Sequence, residues 1–234
     1  MKRLIFPLLC FFAFSVTTFA QTSVSGTISV STTWSDDTML VVGDITINDG
    51  VTLTINPGLL IEFQGHYSIN VKGRLLAVGT EMDSIKFTIN DTTGFYDHAT
   101  DNGAWNGIVF NNAPATNDTS RIQYCIIEYS KTSSEPGGAL RVFFEKLQVS
   151  NCLIRNNKAY YGGGGIYLFI YVTNSNVKII NNTICNNYGG TSGGGIYIRY
   201  THNPVINNNV IINNYAEGGG GYLYYKIIFS DSKK

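Results

Sequence analysis

Charge is scarce in this 234-residue chain: 14% of its residues are Asp, Glu, Lys or Arg, and the 16 basic side chains cancel the 16 acidic ones. A net charge of zero without a basic stripe gives no electrostatic footprint for nucleic acid or for an anionic membrane surface. Asp is missing altogether between Asp118 and Asp231, and Glu occurs in that span only at Glu128, Glu135, Glu145 and Glu217. A glycoside hydrolase needs two carboxylates that converge, one to protonate the leaving oxygen and one to activate water. Histidine occurs only at His66, His98 and His202, with no Ser or Cys partner at motif spacing, so loop histidines are expected. Of the four cysteines, Cys10 lies in a leader segment, leaving Cys125, Cys152 and Cys185. An odd count argues against a disulfide framework. Beyond the leader, Tyr, Asn, Gly or charge interrupts every hydrophobic run, which excludes a membrane-spanning helix. Helical periodicity is missing as well.

The leader reads as an export signal over residues 1–20. Lys2 and Arg3 precede the apolar run Leu4 to Phe14, and Thr18-Phe19-Ala20 makes a small-residue cleavage site. The mature chain is therefore expected to be secreted or at the cell surface, a periplasmic location included. Residues 21–43 are Ser/Thr-rich and weakly alternating, and are expected to form an N-terminal strand or cap region. Period-two alternation starts at Ile45, Ile47, Leu53 and Ile55, with a turn at Asn56-Pro57-Gly58. Residues 90–103 form a polar insertion, and regular repeats begin at about 122.

Those repeats decide the fold class. Asn pairs recur at Asn156-Asn157, Asn186-Asn187 and Asn213-Asn214. Glycine clusters follow them, ending at Gly165, Gly195 and Gly221, and a weaker upstream copy sets Cys125 in the position that Cys152 holds one unit later. Units of roughly 22 to 30 residues, each holding two or three short strands, stack so that every strand pairs in parallel with its counterpart in the next coil. The expectation is an all-β chain with a parallel β-helix over 44–234. Asn suits the corners because it tolerates left-handed backbone angles and its amide can bond the Asn above and below. Cys125 and Cys152 stack as small core residues, while Cys185 aligns with Arg155 and points outward.

The early segment GDITINDGVTLTINPGLLIEF, then INVKGRLLAVGT and WNGIVF, resembles the opening coils of right-handed parallel β-helix proteins of the pectin-lyase-like superfamily. The later copies, with GGAL at Gly137 to Leu140, two GGGI runs and Asn-Asn corners, are similar to bacterial extracellular β-helix repeats of the kind found in polymorphic outer-membrane proteins. The resemblance covers roughly residues 44 to 223. It implies a scaffold that carries lyases, hydrolases, adhesins and passenger domains alike. Lyases of this fold use Ca²⁺ held by several Asp together with an Arg or Lys base, and the Asp residues are absent from these repeats.

Alternation after each glycine cluster points Leu140, Val142, Phe144, Ile166, Leu168, Ile170, Ile196, Ile198 and Tyr200 inward. Two outward columns follow: Arg141, Tyr167 and Tyr197, then Phe143, Phe169 and Arg199. Two readings of this strip stay open. Flat rings stack on sugar faces while Arg pairs with carboxylates or hydroxyls; equally, aromatic neighbours on adjacent strands simply stabilise a sheet. Asp91, Asp97 and Asp101 in the polar insertion are candidate oxygen ligands for Ca²⁺, against an ordinary polar loop. No other cofactor is implied. The sequence thus points to an exported non-catalytic adhesin-like or scaffold protein, with polysaccharide or cell-surface glycan as the partner class. The alternatives are a lyase or hydrolase whose catalytic coils are missing from this chain, and a purely structural stalk. The stop at Lys234, just past the last repeat, reads as a longer protein cut short or as an end that pairs with a second chain.

Overall fold

The computed structural model describes residues 20–111, 117–143, 146–170, 176–199 and 204–218, and the backbone of 222–223. Residues 1–19, expected as an export leader, and Phe144, Glu145, Tyr200 and His202 lie outside the described residues.

The described chain winds as a parallel β-helix, and every strand pair that forms in it is parallel. The ten-residue strand Thr38–Ile47 fixes the layout, because its two halves belong to different walls. Its first half pairs with Leu60–Phe63 and its second half with Ile69–Val71. From there the first wall continues through Ile85–Ile89, Cys125–Glu128, Leu153–Arg155, Thr183–Cys185 and Val210–Ile212. The second wall continues through Ile108–Phe110, Leu140–Phe143, Ile166–Phe169, Ile196–Arg199 and Tyr222–Leu223. A third wall runs from Thr32–Trp34 to Val205–Asn207. Between the first and second walls, the later coils insert a four-stranded corner sheet: Lys131–Thr132, Lys158–Ala159, Tyr188–Gly189 and Tyr215–Ala216.

Residues 21–43, expected as an N-terminal strand or cap region, wind as the first coil. Gln21–Ile28 pairs with Thr38–Ile47, and Thr32–Trp34 opens the third wall beneath Thr52–Ile55. The Ser/Thr content hid this, because a strand open to solvent on its outer face needs only sparse apolar contacts such as Val24 and Ile28.

Alternating apolar residues from all three walls close the core. Ile61, Leu75, Ile122, Val149, Ile166 and Ile179 are fully buried, as are Leu140, Val142 and Leu168 of the second wall and Ile170 just after it. Trp105 is fully buried among them, stacking on Phe63 with ring centroids 4.2 Å apart and donating its indole N–H to the Glu128 carbonyl at 2.8 Å. Cys125 and Cys152 are free, buried and stacked, as expected from their spacing, with Cys185 half-buried.

The Asn-Asn corners divide their work between the two residues. The first of each pair takes the left-handed backbone: Asn156, Asn186 and Asn213 have φ of 55, 56 and 53°. The second turns its amide inward and builds a ladder. Asn187 Oδ1 accepts from the Asn157 backbone N–H and Nδ2, both at 3.0 Å, while Asn187 Nδ2 donates to the Ile154 carbonyl at 3.0 Å. Asn157 repeats this toward Ser130, and Asn214 toward Asn187. A second ladder, Cys152–Asn182–Asn209, runs at the preceding corner. Burying an amide is tolerable only because every donor and acceptor meets a partner.

Candidate functional site

The register places the strip residues side by side as the alternation requires. Arg141 pairs with Tyr167 and Tyr167 with Tyr197, while Phe143 pairs with Phe169 and Phe169 with Arg199. Exposure is another matter. Arg141 is 7% exposed and Tyr167 4%. The turn before the second-wall strand folds over its outer face: a Cβ on Gly137, at φ 75°, would lie 2.4 Å from Arg141 Cγ and 2.8 Å from Tyr167 Cβ. Beneath that cover, Arg141 Nη2 donates to the carbonyl and the side-chain oxygen of Asn106 at 2.6 and 2.8 Å. The expectation of an open column through Arg141 and Tyr167 is thereby corrected. Phe143, Phe169 and Tyr197 stay half-buried, and only Arg199 is exposed, its guanidinium 5.8 Å from the centre of the Phe169 ring.

A second outward column lies on the corner sheet, where Lys131, Lys158, Tyr188 and Tyr215 are stacked in register. The 91–104 loop closes over its first half. Phe95, 2% exposed, plugs the loop against Tyr129. Lys131 Nζ holds the loop from below, donating to the carbonyls of Asn102 (2.8 Å), Asp97 (3.1 Å), Gly94 (3.2 Å) and Phe95 (3.4 Å). The ammonium thus takes the place that a bound cation would have in a carbonyl cage. Burial pulls the Lys131 pKa down, against the nearby charges of Asp101 and Asp97.

Two adjoining clefts, of about 340 and 480 Å³, lie between this loop and the corner sheet and share His98, Lys158 and Tyr188. Tyr188 and Tyr215 stack with centroids 5.7 Å apart and planes 21° from parallel, and His98 meets Tyr188 edge-on at 4.6 Å. Tyr160 and Tyr161 stand at the rim about half exposed, and Tyr96 and Tyr215 are still more open. The Tyr188 hydroxyl donates to Glu217 Oε1; burial first, and then that carboxylate, push its pKa up. The cleft thus offers ring faces, hydroxyls and one ammonium to a ligand lying along the solenoid axis.

The insertion does not gather its acids. Asp91 Oδ1 accepts from Thr93 N and Asp97 Oδ1 from Ala99 N, each closing its own turn, while Asp101 faces His66 at 3.5 Å. No group of three metal-ligating side chains forms among the described residues, so Asp91, Asp97 and Asp101 are not brought together into a Ca²⁺ site. The spacing of the acids alone could not show that local turns would spend them. Glu128 is 2% exposed and spent as well. Burial opposes its charge, but Lys86 and Arg155, each at 2.8 Å, outweigh that and hold its carboxyl below the usual range.

Alternation found the second wall and missed the corner column. Its signal is nonetheless present: one bulky and one small residue follow each Asn corner, as Lys158-Ala159, Tyr188-Gly189 and Tyr215-Ala216. The sequence profile of a family described as "right handed beta helix region" matches residues 85–229, more than half of the chain. No curated protein and no solved structure matches the chain.

Proposed function

Because this chain belongs to the right-handed β-helix family, we propose that it is an exported, non-catalytic wall that binds glycan, in the manner of an adhesin or scaffold. One observation carries the reading: the tyrosine-lined cleft on the corner sheet, with Tyr188 and Tyr215 stacked as a platform and Tyr96, Tyr160 and Tyr161 at its edges. Flat amphipathic rings present an apolar face and a polar tip, which suits a sugar ring with its hydroxyls. Coils stack about 4.8 Å apart, so a linear saccharide laid along the axis meets Tyr188 and then Tyr215 from successive coils. The balanced charge gives no broad basic stripe for nucleic acid, and the basic, apolar and small-residue leader supports export. The commitment of Glu128 to Lys86 and Arg155 and of Glu217 to Tyr188 supports a binding role over hydrolysis. Phe143, Phe169, Tyr197 and Arg199 form a secondary, partly open surface on the second wall.

Affinity electrophoresis of the mature chain through gels containing neutral and acidic polysaccharides tests this. Retardation by at least one polysaccharide is expected, with most of it lost in Tyr188→Ala/Tyr215→Ala. The reading fails if no polysaccharide retards the protein, or if the double variant is retarded as strongly as wild type. Release of new reducing or unsaturated ends would overturn the non-catalytic part.

A further inference from the structure

Two lysines stand side by side on the corner sheet, and their environments are opposite. Lys131 Nζ meets four backbone carbonyls. Lys158 is 8% exposed, and its Nζ meets rings alone: Tyr96 at 4.6 Å, Phe95 at 4.8 Å and Tyr188 at 5.8 Å from their centroids. None of the hydrogen bonds and ion pairs among the described residues involves that ammonium. Ring faces attract a cation but accept no hydrogen bond in the ordinary sense, so three N–H donors are left to be met from the cleft. Its ammonium opens onto the clefts, so those donors face water or whatever ligand lies there. Lys131 alongside adds repulsion, and burial together with this neighbour pulls the Lys158 pKa down. Glu217, the carboxylate that lines one of these clefts, is taken by the Tyr188 hydroxyl.

Lys158 lines both clefts, beside the Tyr188–Tyr215 platform. We propose that the cleft is a subsite for an anionic substituent of a saccharide, a carboxylate or a sulfate, which takes Lys158 as its counter-ion while the sugar ring lies on Tyr188 or Tyr215. This rests on the glycan-binding reading and adds to it a ligand class and a specificity residue. The anion supplies the acceptors that the rings cannot, and it relieves the repulsion between the two lysines. The aromatic faces hold the ring in place and exclude water, which strengthens the ion pair.

Isothermal titration of the full mature chain decides it, with four probes: a uronic-acid hexasaccharide, its fully methyl-esterified form, a sulfated hexasaccharide, and inorganic sulfate alone. At least one charged hexasaccharide is expected to bind about tenfold or more tighter than the neutral ester, as a charge-assisted hydrogen bond predicts. Lys158→Met should reduce that affinity to the level of the ester, while Lys158→Arg keeps much of it. Which of the two charged probes wins identifies the substituent. Inorganic sulfate binding as tightly as the sulfated sugar would remove the saccharide from the proposal. Equal affinity for charged and neutral hexasaccharides, or Lys158→Met binding like wild type, overturns the subsite and leaves the glycan wall standing. If none of the saccharides binds, both readings fall. Should Lys158→Met misfold, the charged-against-neutral comparison on wild type and Lys158→Arg decides alone.

Discussion

In the early coils one turn of chain is short: Thr33 pairs with Thr54, and Thr54 in turn with Leu76. In the late coils the step along the same wall is longer, as Arg121 pairs with Gln148, Gln148 with Lys178 and Lys178 with Val205. The short turns run from the first wall into the second with little corner, as Thr38–Ile47 does in one strand. They are filled by large rings, and the bulkiest side chains of the core, Trp105, Phe63, Phe87 and Phe110, all lie before the regular repeats. The long turns have an aliphatic core and buried amides, and their extra residues make the corner sheet and the glycine turns. Shape in the first region comes from filling space, which tolerates volume-conserving change. In the second it comes from matched hydrogen bonds, which tolerate almost none. The candidate cleft arises where the two meet, as the loop of the last early coil folds down onto the corner sheet.

The strongest way to break this contrast is to exchange the kinds of damage. Trp105→Ala should cost about 3–5 kcal/mol in urea unfolding, as a large buried aromatic does; a cost under about 1 kcal/mol would mean that the early coils are not held by ring packing. Asn187→Ala should cost about 2–4 kcal/mol, because it orphans the Asn157 N–H and the Ile154 carbonyl together. Thr54→Ala, half-buried on an early strand, should stay within about 0.5 kcal/mol, and parity between these two would dismiss the ladder as a stabiliser.

Lys131→Met addresses the junction. It removes the donor from four carbonyls of the 91–104 loop, so amide exchange there should speed up by roughly tenfold while the global unfolding midpoint shifts little. Unchanged exchange would show that Phe95 alone anchors the loop. The smallest effect is expected from Glu128→Gln, and it is present near neutral pH and lost in acid. The folded pKa of Glu128 lies below its usual 4.5, so its stabilisation is full above 4.5 and fades as pH falls through the lower, folded value. Wild type should therefore lose its advantage over Glu128→Gln in that window, and a constant difference across it would assign the effect to packing.

Parallel pairing, the register of the second wall and the stacking of Cys125 on Cys152 were legible because hydrophobic alternation and a fixed period specify them together. The covering of Arg141 and Tyr167 was not, because it depends on the path of the Gly137 turn, and glycines permit many paths. Nor was the Lys131 clamp: its partners between Gly94 and Asn102 lie a whole coil earlier, in an insertion that has no counterpart in the repeats. The Asn pairs were half legible. Their residue type announced both the left-handed corner and the amide ladder, but only the φ angles show that Asn156 does the first and Asn157 the second.

The amide ladder also gives the fold a direction. Asn187 Oδ1 serves the N–H of Asn157 in the coil before it, and Asn214 Oδ1 serves the N–H of Asn187 in the same sense. A corner's donor is therefore met only by the coil that comes after. Were coils to form from the N-terminal side, the newest coil would carry the open donor while the one behind it was sealed, and losing a coil would expose an N–H that had been satisfied.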